Sequence, residues 1–517
     1  MDIRRQKKYW SLNRSLFTLI IILSLGLPAE AQNDKRDYVW LFGHDSRPTE
    51  GFESYRFDFN KGSNPDSVRG LLPIRFGGNN ASICDRDGNL LYYTNGCHVV
   101  GRNHQILPNG SDLNYGEWIQ EYRGDTCSFY PTTQDILILP DPADEDNHYV
   151  IHKTIEGEDL DYNSFLYSYI DGAENNGFGE VKQKAENIFP DIKFLYSYLT
   201  AVPHENNNGW WIIQVDEDEM IYSILLNENG FNFLHTTVIP TSFVENSNGS
   251  GAAKLSPDGS LYVFYNAYDD LHLYDFDRET GKLTNHRYLL IDEFPDNIAR
   301  FSSVEWSPNS RFIYISIEDQ LWQVDTWEDD LEDGLVLIDT WNGVSDPFQT
   351  KFALMALAPD CNIYMCSFSS TNTYHVINNP NEKGQDCDFV QQGIRLPFVS
   401  ASTTMPNFPR YRVDEDDKCD PTITSIFGDD IFWRKDLSAY PNPVRDQLIV
   451  ELPEVGRGQL FVIDMKGQLV MQKKTELHYN MLQLDMTSLS AGTYSVEFLP
   501  DNNKERRIWT SRVVKVE

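Results

Sequence analysis

The stretch Lys254-Leu255-Ser256-Pro257-Asp258-Gly259-Ser260-Leu261-Tyr262-Val263-Phe264-Tyr265, followed by Leu271-His272-Leu273-Tyr274-Asp275, decides the fold of this chain. An apolar run enters a Ser-Pro-Asp-Gly turn and leaves it as alternating aromatic and β-branched residues, which is a hairpin, and another strand of the same kind follows at once. Fifty-one residues beyond Asp258 stands Asn309, in Trp306-Ser307-Pro308-Asn309 ahead of Phe312-Ile313-Tyr314-Ile315. Fifty-one further stands Asp360, in Ala358-Pro359-Asp360 ahead of Ile363-Tyr364-Met365. Units of this size cannot bury a core alone, so a fixed period predicts repeats that stack on their neighbours.

Working outward, earlier units follow the same plan. Ile83-Cys84-Asp85-Arg86-Asp87-Gly88-Asn89-Leu90 is the first, with Asp87-Gly88 in the place of Asp258-Gly259. The second runs from Ile136 through an acidic turn at Asp146-Asn147 to Tyr149 and His152, and the third from Leu199 through Asn206-Asn207-Asn208-Gly209 to Trp210 and Trp211. At the ends of this region, Val39-Trp40-Leu41-Phe42-Gly43 and Tyr55 to Phe59 are strands without a turn motif, and the segment from Ser400 to Pro409 is a remnant without outer strands. Joined, the two remnants make one more blade, which would close the ring and leave no unpaired edge. The fold class is therefore all-β: a seven-bladed β-propeller over residues 32–412, with six and eight blades as the adjacent counts. Two β-sandwich domains would explain the strands but not the spacing.

Residues 1–31 read as a signal peptide. Arg4, Arg5, Lys7, Lys8 and Arg14 precede an apolar run of roughly 12 residues, too short to span a bilayer, and Ala29-Glu30-Ala31 precedes cleavage between Ala31 and Gln32. The chain has 43 Lys and Arg against 78 Asp and Glu. Between residues 32 and 435 the balance is 28 against 65, a net charge of −37 that repels nucleic acid and anionic membrane. Seven cysteines in an exported chain predict disulfides, with at least one thiol left over, and a bond among Cys361, Cys366, Cys387 and Cys419 is expected near the end of the ring. No spacing of Cys or His has the pattern of a zinc site.

An acidic linker, 413–435, separates the ring from a nearly neutral, Cys-free domain at 436–517. The latter opens with Tyr440-Pro441-Asn442-Pro443 and continues through dense alternating strands, a turn at Asp464 to Gly467, then Leu489, Gly492 and Tyr494, and a basic last strand containing Lys515. Such a pattern in some eighty residues predicts a small Ig-like β-sandwich.

These residues carry two resemblances. The Ser82 to Gly96 unit, Leu107-Pro108-Asn109-Gly110 and Met405-Pro406-Asn407-Phe408-Pro409 resemble exported WD40-like propeller proteins of Bacteroidetes, over about Trp40 to Cys419. The Pro-x-Pro opening, Asp-x-x-Gly, Leu-x-x-Gly-x-Tyr and the basic tail closely resemble the type A C-terminal sorting domain of type IX secretion. That resemblance makes Tyr440, Pro441, Asn442, Pro443, Asp464, Gly467, Leu489, Gly492, Tyr494 and Lys515 the sorting signal. It implies the type IX machinery as partner, and a secreted or outer-membrane surface location reached through the periplasm.

Catalytic motifs are missing from the sequence: it holds no His-Glu-x-x-His, no Gly-x-Ser-x-Gly and no phosphate loop. His152, His204 and Glu205 read as packing or rim residues. Asp85, Asp87 and Asn89 place oxygen donors at alternate positions, as a calcium loop would, but the same residues make a good hairpin turn, and no cofactor is expected. Two readings of function follow. One is a binding protein for glycans or surface components, with Trp118, Trp210, Trp211 and Trp341 as contacts; the other is a hydrolase or lyase acting on extracellular polysaccharide or peptide.

Overall fold

A computed structural model describes residues 34–43, 54–62, 65–67, 72–123, 127–157, 162–240, 251–291, 302–396, 404–414, 419, 433–452, 457–464, 469–475, 481–500 and 507–516. The segment expected to be a signal peptide, with Ala31 and Gln32, the turn containing Gly467 and most of the linker lie outside them.

The repeated turn owes its shape to one side chain. Ser256 Oγ donates to Asp258 Oδ1 (2.5 Å) and accepts from Leu261 N–H (2.9 Å), while Ser256 N–H bonds Leu261 O (2.9 Å) and closes the hairpin. Fifty-one residues on, Ser307 repeats all three bonds, to Asn309 (2.6 Å) and Phe312 (2.8 Å each way). In the first unit Asp85 takes the serine's place, its Oδ1 accepting from the N–H groups of Asp87 (3.0 Å) and Asn89 (2.9 Å). The turn then needs a left-handed residue, supplied by Gly88, Gly259, Ser310 and Cys361 in turn (φ 88°, 72°, 59° and 69°).

From each turn the chain meanders outward as antiparallel strands. Among the described residues the ring has seven sheets. Blade 1 is Val39–Gly43, Ser54–Asp58 and Pro65–Ser67, and blade 2 is Ala81–Cys84, Leu90–Thr94 and Val99–Gly101. Four strands each form blade 3, from Ile136–Asp141 to Glu180–Asn187, and blade 4, from Thr200–Pro203 to Gly230–Val238. The same holds for blade 5 (Gly251–Leu255 to Lys282–Leu289), blade 6 (Ser302–Trp306 to Leu335–Thr340) and blade 7 (Phe352–Leu357 to Phe389–Arg395).

Period-two alternation sends successive side chains to opposite faces, and both faces of every blade are covered. In the innermost strand of blade 5, Ala253 and Leu255 join the cluster shared with blade 4, and Ala252 joins the one shared with blade 6. Seven such clusters stand between consecutive blades, the last uniting blade 7 with blade 1, so the ring is closed. The three free cysteines, Cys84, Cys366 and Cys387, are buried in three of these interfaces, where a thiol packs as a small apolar group.

A blade shared between the two ends is expected, and the part of the C-terminal segment that the structure describes, from Thr404 on, runs along the axis instead of pairing in that blade. The three described strands of blade 1 come from the N-terminal side, and its seam with blade 7 is a bank of aromatic side chains: Trp40 on Phe59 (5.2 Å between ring centres), Phe57 on Tyr364 (5.4 Å) and Phe42 on Tyr374 (5.8 Å). The hydroxyls of Tyr55 and Tyr374 are hydrogen-bonded across it. Thr404 to Pro409 adds no strand to blade 1, and Pro406 and Pro409, lacking N–H groups, could not pair fully in a ladder. Residues 397–403, with the start of the segment expected to complete blade 1, lie outside the described residues.

The last domain is a sandwich with its own core around Leu448, Val450, Leu460, Val462, Val496 and Phe498. One sheet has five strands (Trp433–Asp436, Arg507–Lys515, Gly492–Pro500, Gly458–Asp464 and Leu469–Thr475), the other three (Ser438–Tyr440, Gln447–Glu451 and Met481–Asp485). Its first strand begins at Trp433, inside the stretch read as linker, and pairs in parallel with Arg507–Lys515.

Candidate functional site

A ring of blades brings side chains from many sheets together along its axis, and here residues 404–412 of the chain itself run through that space. Asn407 N–H bonds Asn80 O of blade 2 (2.8 Å), and its amide donates to Ile136 O of blade 3 (3.2 Å) and Leu199 O of blade 4 (3.0 Å). Arg410 N–H reaches Ala201 O of blade 4 (3.0 Å), while its guanidinium donates to Leu255 O of blade 5 (2.8 Å) and to Glu305 of blade 6 (2.5 Å). Met405 and Phe408 pack into the seam of blades 7 and 1, and Arg412 forms a two-pronged pair with Asp37 (2.5 and 2.8 Å). The space left beside Met405, Pro406 and Asn407 is about 20 Å³, room for about one water molecule.

The buried charges along this axis are matched. Burial alone would push the Glu305 carboxyl up, but Arg410 and Lys254 hold it below its ordinary value. Burial lowers the Lys153 ammonium to about 8 even though Asp135 pairs with it at 2.5 Å, and two carbonyls, Leu195 O and Ser197 O, accept its remaining protons.

Most of the residues singled out from sequence fall into place as structure. The Asp85 carboxylate is taken up by the turn that holds Asp87 and Asn89. His152 is buried between Asn114 Oδ1 (2.6 Å) and Ser168 Oγ (2.9 Å), and burial lowers its pKa to about 3. His204 stacks on Trp211 at 5.7 Å, and Glu205 pairs with Arg278 at the rim. The tryptophans differ from expectation. Trp210 and Trp211 are buried, because adjacent strand residues point into two different blade interfaces and neither faces water. Trp118 and Trp341 are half-buried, packed on Tyr130 (5.7 Å) and hydrogen-bonded to Thr350 (3.1 Å). Trp327, not singled out, is the most exposed large apolar side chain among the described residues, at 69%.

In the sandwich, motifs far apart in sequence meet at one end. Asn442, between its two prolines, donates to Arg512 O (2.8 Å) and accepts from Val514 N–H (2.9 Å), fastening the Pro-x-Pro opening to the last strand. Gly492 stands opposite Lys515 and Asp464 opposite Tyr494 in the sheet register. The Tyr494 hydroxyl donates to Ser490 O (2.8 Å), and Leu489 N–H bonds Met486 O (3.1 Å) to hold the preceding turn. Lys515 is 8% exposed, its ammonium on Val516 O (2.7 Å), while Tyr440 is 38% exposed.

Residues 438–512 match the family described as a secretion system C-terminal sorting domain. The terminal sandwich is a type IX sorting domain. A sorting domain of this kind implies engagement with the secretion machinery and delivery to the cell surface or beyond. Among the described residues no helix is long and apolar enough to cross a membrane.

No curated protein matches the sequence. Solved structures similar to the chain include a periplasmic gluconolactonase of Pseudomonas aeruginosa (11% identity, 71% of this chain and 97% of that one, TM-score 0.40). Others are a putative 6-phosphogluconolactonase of Bacteroides fragilis (14%, 59% and 94%, 0.27) and the C-terminal WD40 domain of Sif2 (11%, 74% and 87%, 0.28). Overlays at these scores carry no argument about activity.

Proposed function

We propose that the ring is the cargo of the sorting domain and works outside the cell as a binding protein for glycans or other surface components, without turning them over. The observation that supports this is the axis filled by residues 404–412. Catalytic groups from several blades would converge there, and the space instead holds Asn407 and Arg410 bonded to blades 2 to 6. The acids nearest the axis are engaged as well: Glu305 by Arg410 and Lys254, Asp135 by Lys153, Asp37 by Arg412. A carboxyl so matched is poorly placed to exchange a proton with a substrate.

The test uses the mature full-length chain on immobilised outer-membrane fragments and polysaccharides, with retention and product release measured in the same samples. Retention without new reducing ends, unsaturated sugars or free amines is the expected result. Product formation above the protein-free blank would establish the hydrolase or lyase reading instead.

A further inference from the structure

Blades 2 and 3 leave a cleft of about 390 Å³ between them, on the side where the first two strands of each blade are joined. Small-molecule sites occupy about 300–1,000 Å³, so the volume suits a ligand of one or two rings. Its floor is His148, 1% exposed, with the Tyr92 ring edge-on to it at 5.2 Å. Part of its wall is bare backbone: a Cβ on Gly172 would stand 2.0 Å from Asp146 O, too close for any side chain.

The charges in the cleft are balanced, with Arg36, Arg86 and Arg102 facing Asp85, Glu145 and Asp146. Glu145 is gripped by Arg36 (3.0 Å) and by both prongs of Arg86 (3.0 and 2.5 Å). Arg102 donates to Gly177 O (2.7 Å) at the rim. Beneath them the buried His148 imidazole, kept neutral by its burial, adds no charge to the cleft floor.

We propose that this cleft binds a neutral polyhydroxylated ligand, one or two sugar rings of a glycan; the proposal rests on the binding reading above and gives it a site and a ligand class. A charged ligand of either sign would meet like charge in the cleft, and an anion would also approach against the ring's net negative field. A hydroxyl both donates and accepts, so it can bridge a guanidinium and a carboxylate of the wall.

The experiment is ligand-observed NMR and calorimetry on the mature full-length chain, with glucose, galactose, mannose, N-acetylglucosamine and cellobiose as probes. Glucuronate and glucosamine are the charged counterparts. Two variants localise the effect: Ala173→Trp, at an exposed rim residue with helical backbone (φ −74°), blocks the mouth, and Arg102→Ala removes a surface donor. At least one neutral probe should bind, tenfold or more weakly in each variant at unchanged melting temperature, and more tightly than its charged counterpart. Failure of every neutral probe overturns the proposal, as does a charged probe that binds more tightly. Sugar binding indifferent to both variants overturns the cleft while leaving the binding reading intact. The binding reading itself falls only if the chain turns its ligands over or is not retained on surface material.

Discussion

Replacing Arg410 by Met should destabilise the ring through a group 105 residues away. Glu305 is 1% exposed, and its carboxylate is matched by the Arg410 guanidinium at 2.5 Å and by the Lys254 ammonium at 3.7 Å. Removing one partner of a buried pair leaves a poorly compensated charge and costs about 3–5 kcal/mol. Lys254 remains as a weaker partner, so the lower end of that range applies. With unfolding entropy of about 2.1 cal/mol/K per residue, a ring of this length loses about 4 °C of melting temperature for about 3 kcal/mol. Replacing Glu305 and Lys254 by Met as well removes the orphaned acid together with its second partner and should recover most of the loss. The assay is thermal unfolding of the mature chain at pH 7, followed by tryptophan fluorescence. A shift under 1 °C for Arg410→Met, or a triple variant that melts as low as the single one, would refute the view that the axial segment is clamped into the ring.

Three further outcomes follow from the structure. Burial keeps His148 and His152 neutral down to about 3 and His375 down to about 4, against about 6.5 when unfolded, so the stability these residues contribute is whole above pH 6.5 and is lost as pH falls toward 4. Unfolding free energies from urea titrations between pH 7.5 and 4.5 should therefore fall, by about 1.4 kcal/mol per pH unit for each histidine once the unfolded form is protonated; a flat profile would contradict this. Non-reducing peptide mapping should find Cys361–Cys419 and Cys97–Cys127 bonded and Cys84, Cys366 and Cys387 free. Cys361→Ser should lower stability by up to about 4 kcal/mol from the loss of the loop constraint, and recovery of Cys361 and Cys419 as thiols would rule this out. Fusing residues 433–517, which keep the sandwich's first strand, to a foreign periplasmic protein should carry it to the surface or medium, and retention of the fusion in the periplasm would count against an autonomous sorting signal.

The blades were legible because each turn is encoded locally: Ser256 and Ser307 make the same bonds within five residues of themselves, and strand alternation supplies both faces. The sorting motif was legible for the same reason, each of its pieces being a short turn or strand end. The axial segment was not. Asn407 answers to carbonyls 208 and 271 residues away and Arg410 to a carboxylate 105 residues away, with no period to expose the relation. The Met405 to Pro409 stretch therefore stood out by resemblance, while its role came only with the ring around it. Trp210 and Trp211 misled because a half-buried sheet would leave one of them in water, whereas a blade between two neighbours leaves neither. The cleft draws on residues from Arg36 to Gly177 and has no signature in sequence at all.

The axial segment also fixes where the ring ends. Asp414 is gripped by both prongs of Arg278 (2.7 and 3.1 Å) and by Asn207 (3.1 Å), and Cys419 is bonded to Cys361 in the turn of blade 7. Every contact described that fastens this segment lies at or before Cys419. A chain ending after Cys419 keeps them all, and its ring should melt as the mature protein's does. One ending at residue 403 loses Asn407, Arg410, Arg412 and the disulfide together, so the ring keeps its blades but not the strut between them, and leaves Glu305 and Asp37 without their arginines. Thermal unfolding of the two truncations separates the possibilities: equal melting temperatures would mean that the axial segment merely occupies the channel, and a drop confined to the shorter chain would mean that the segment holds the ring together.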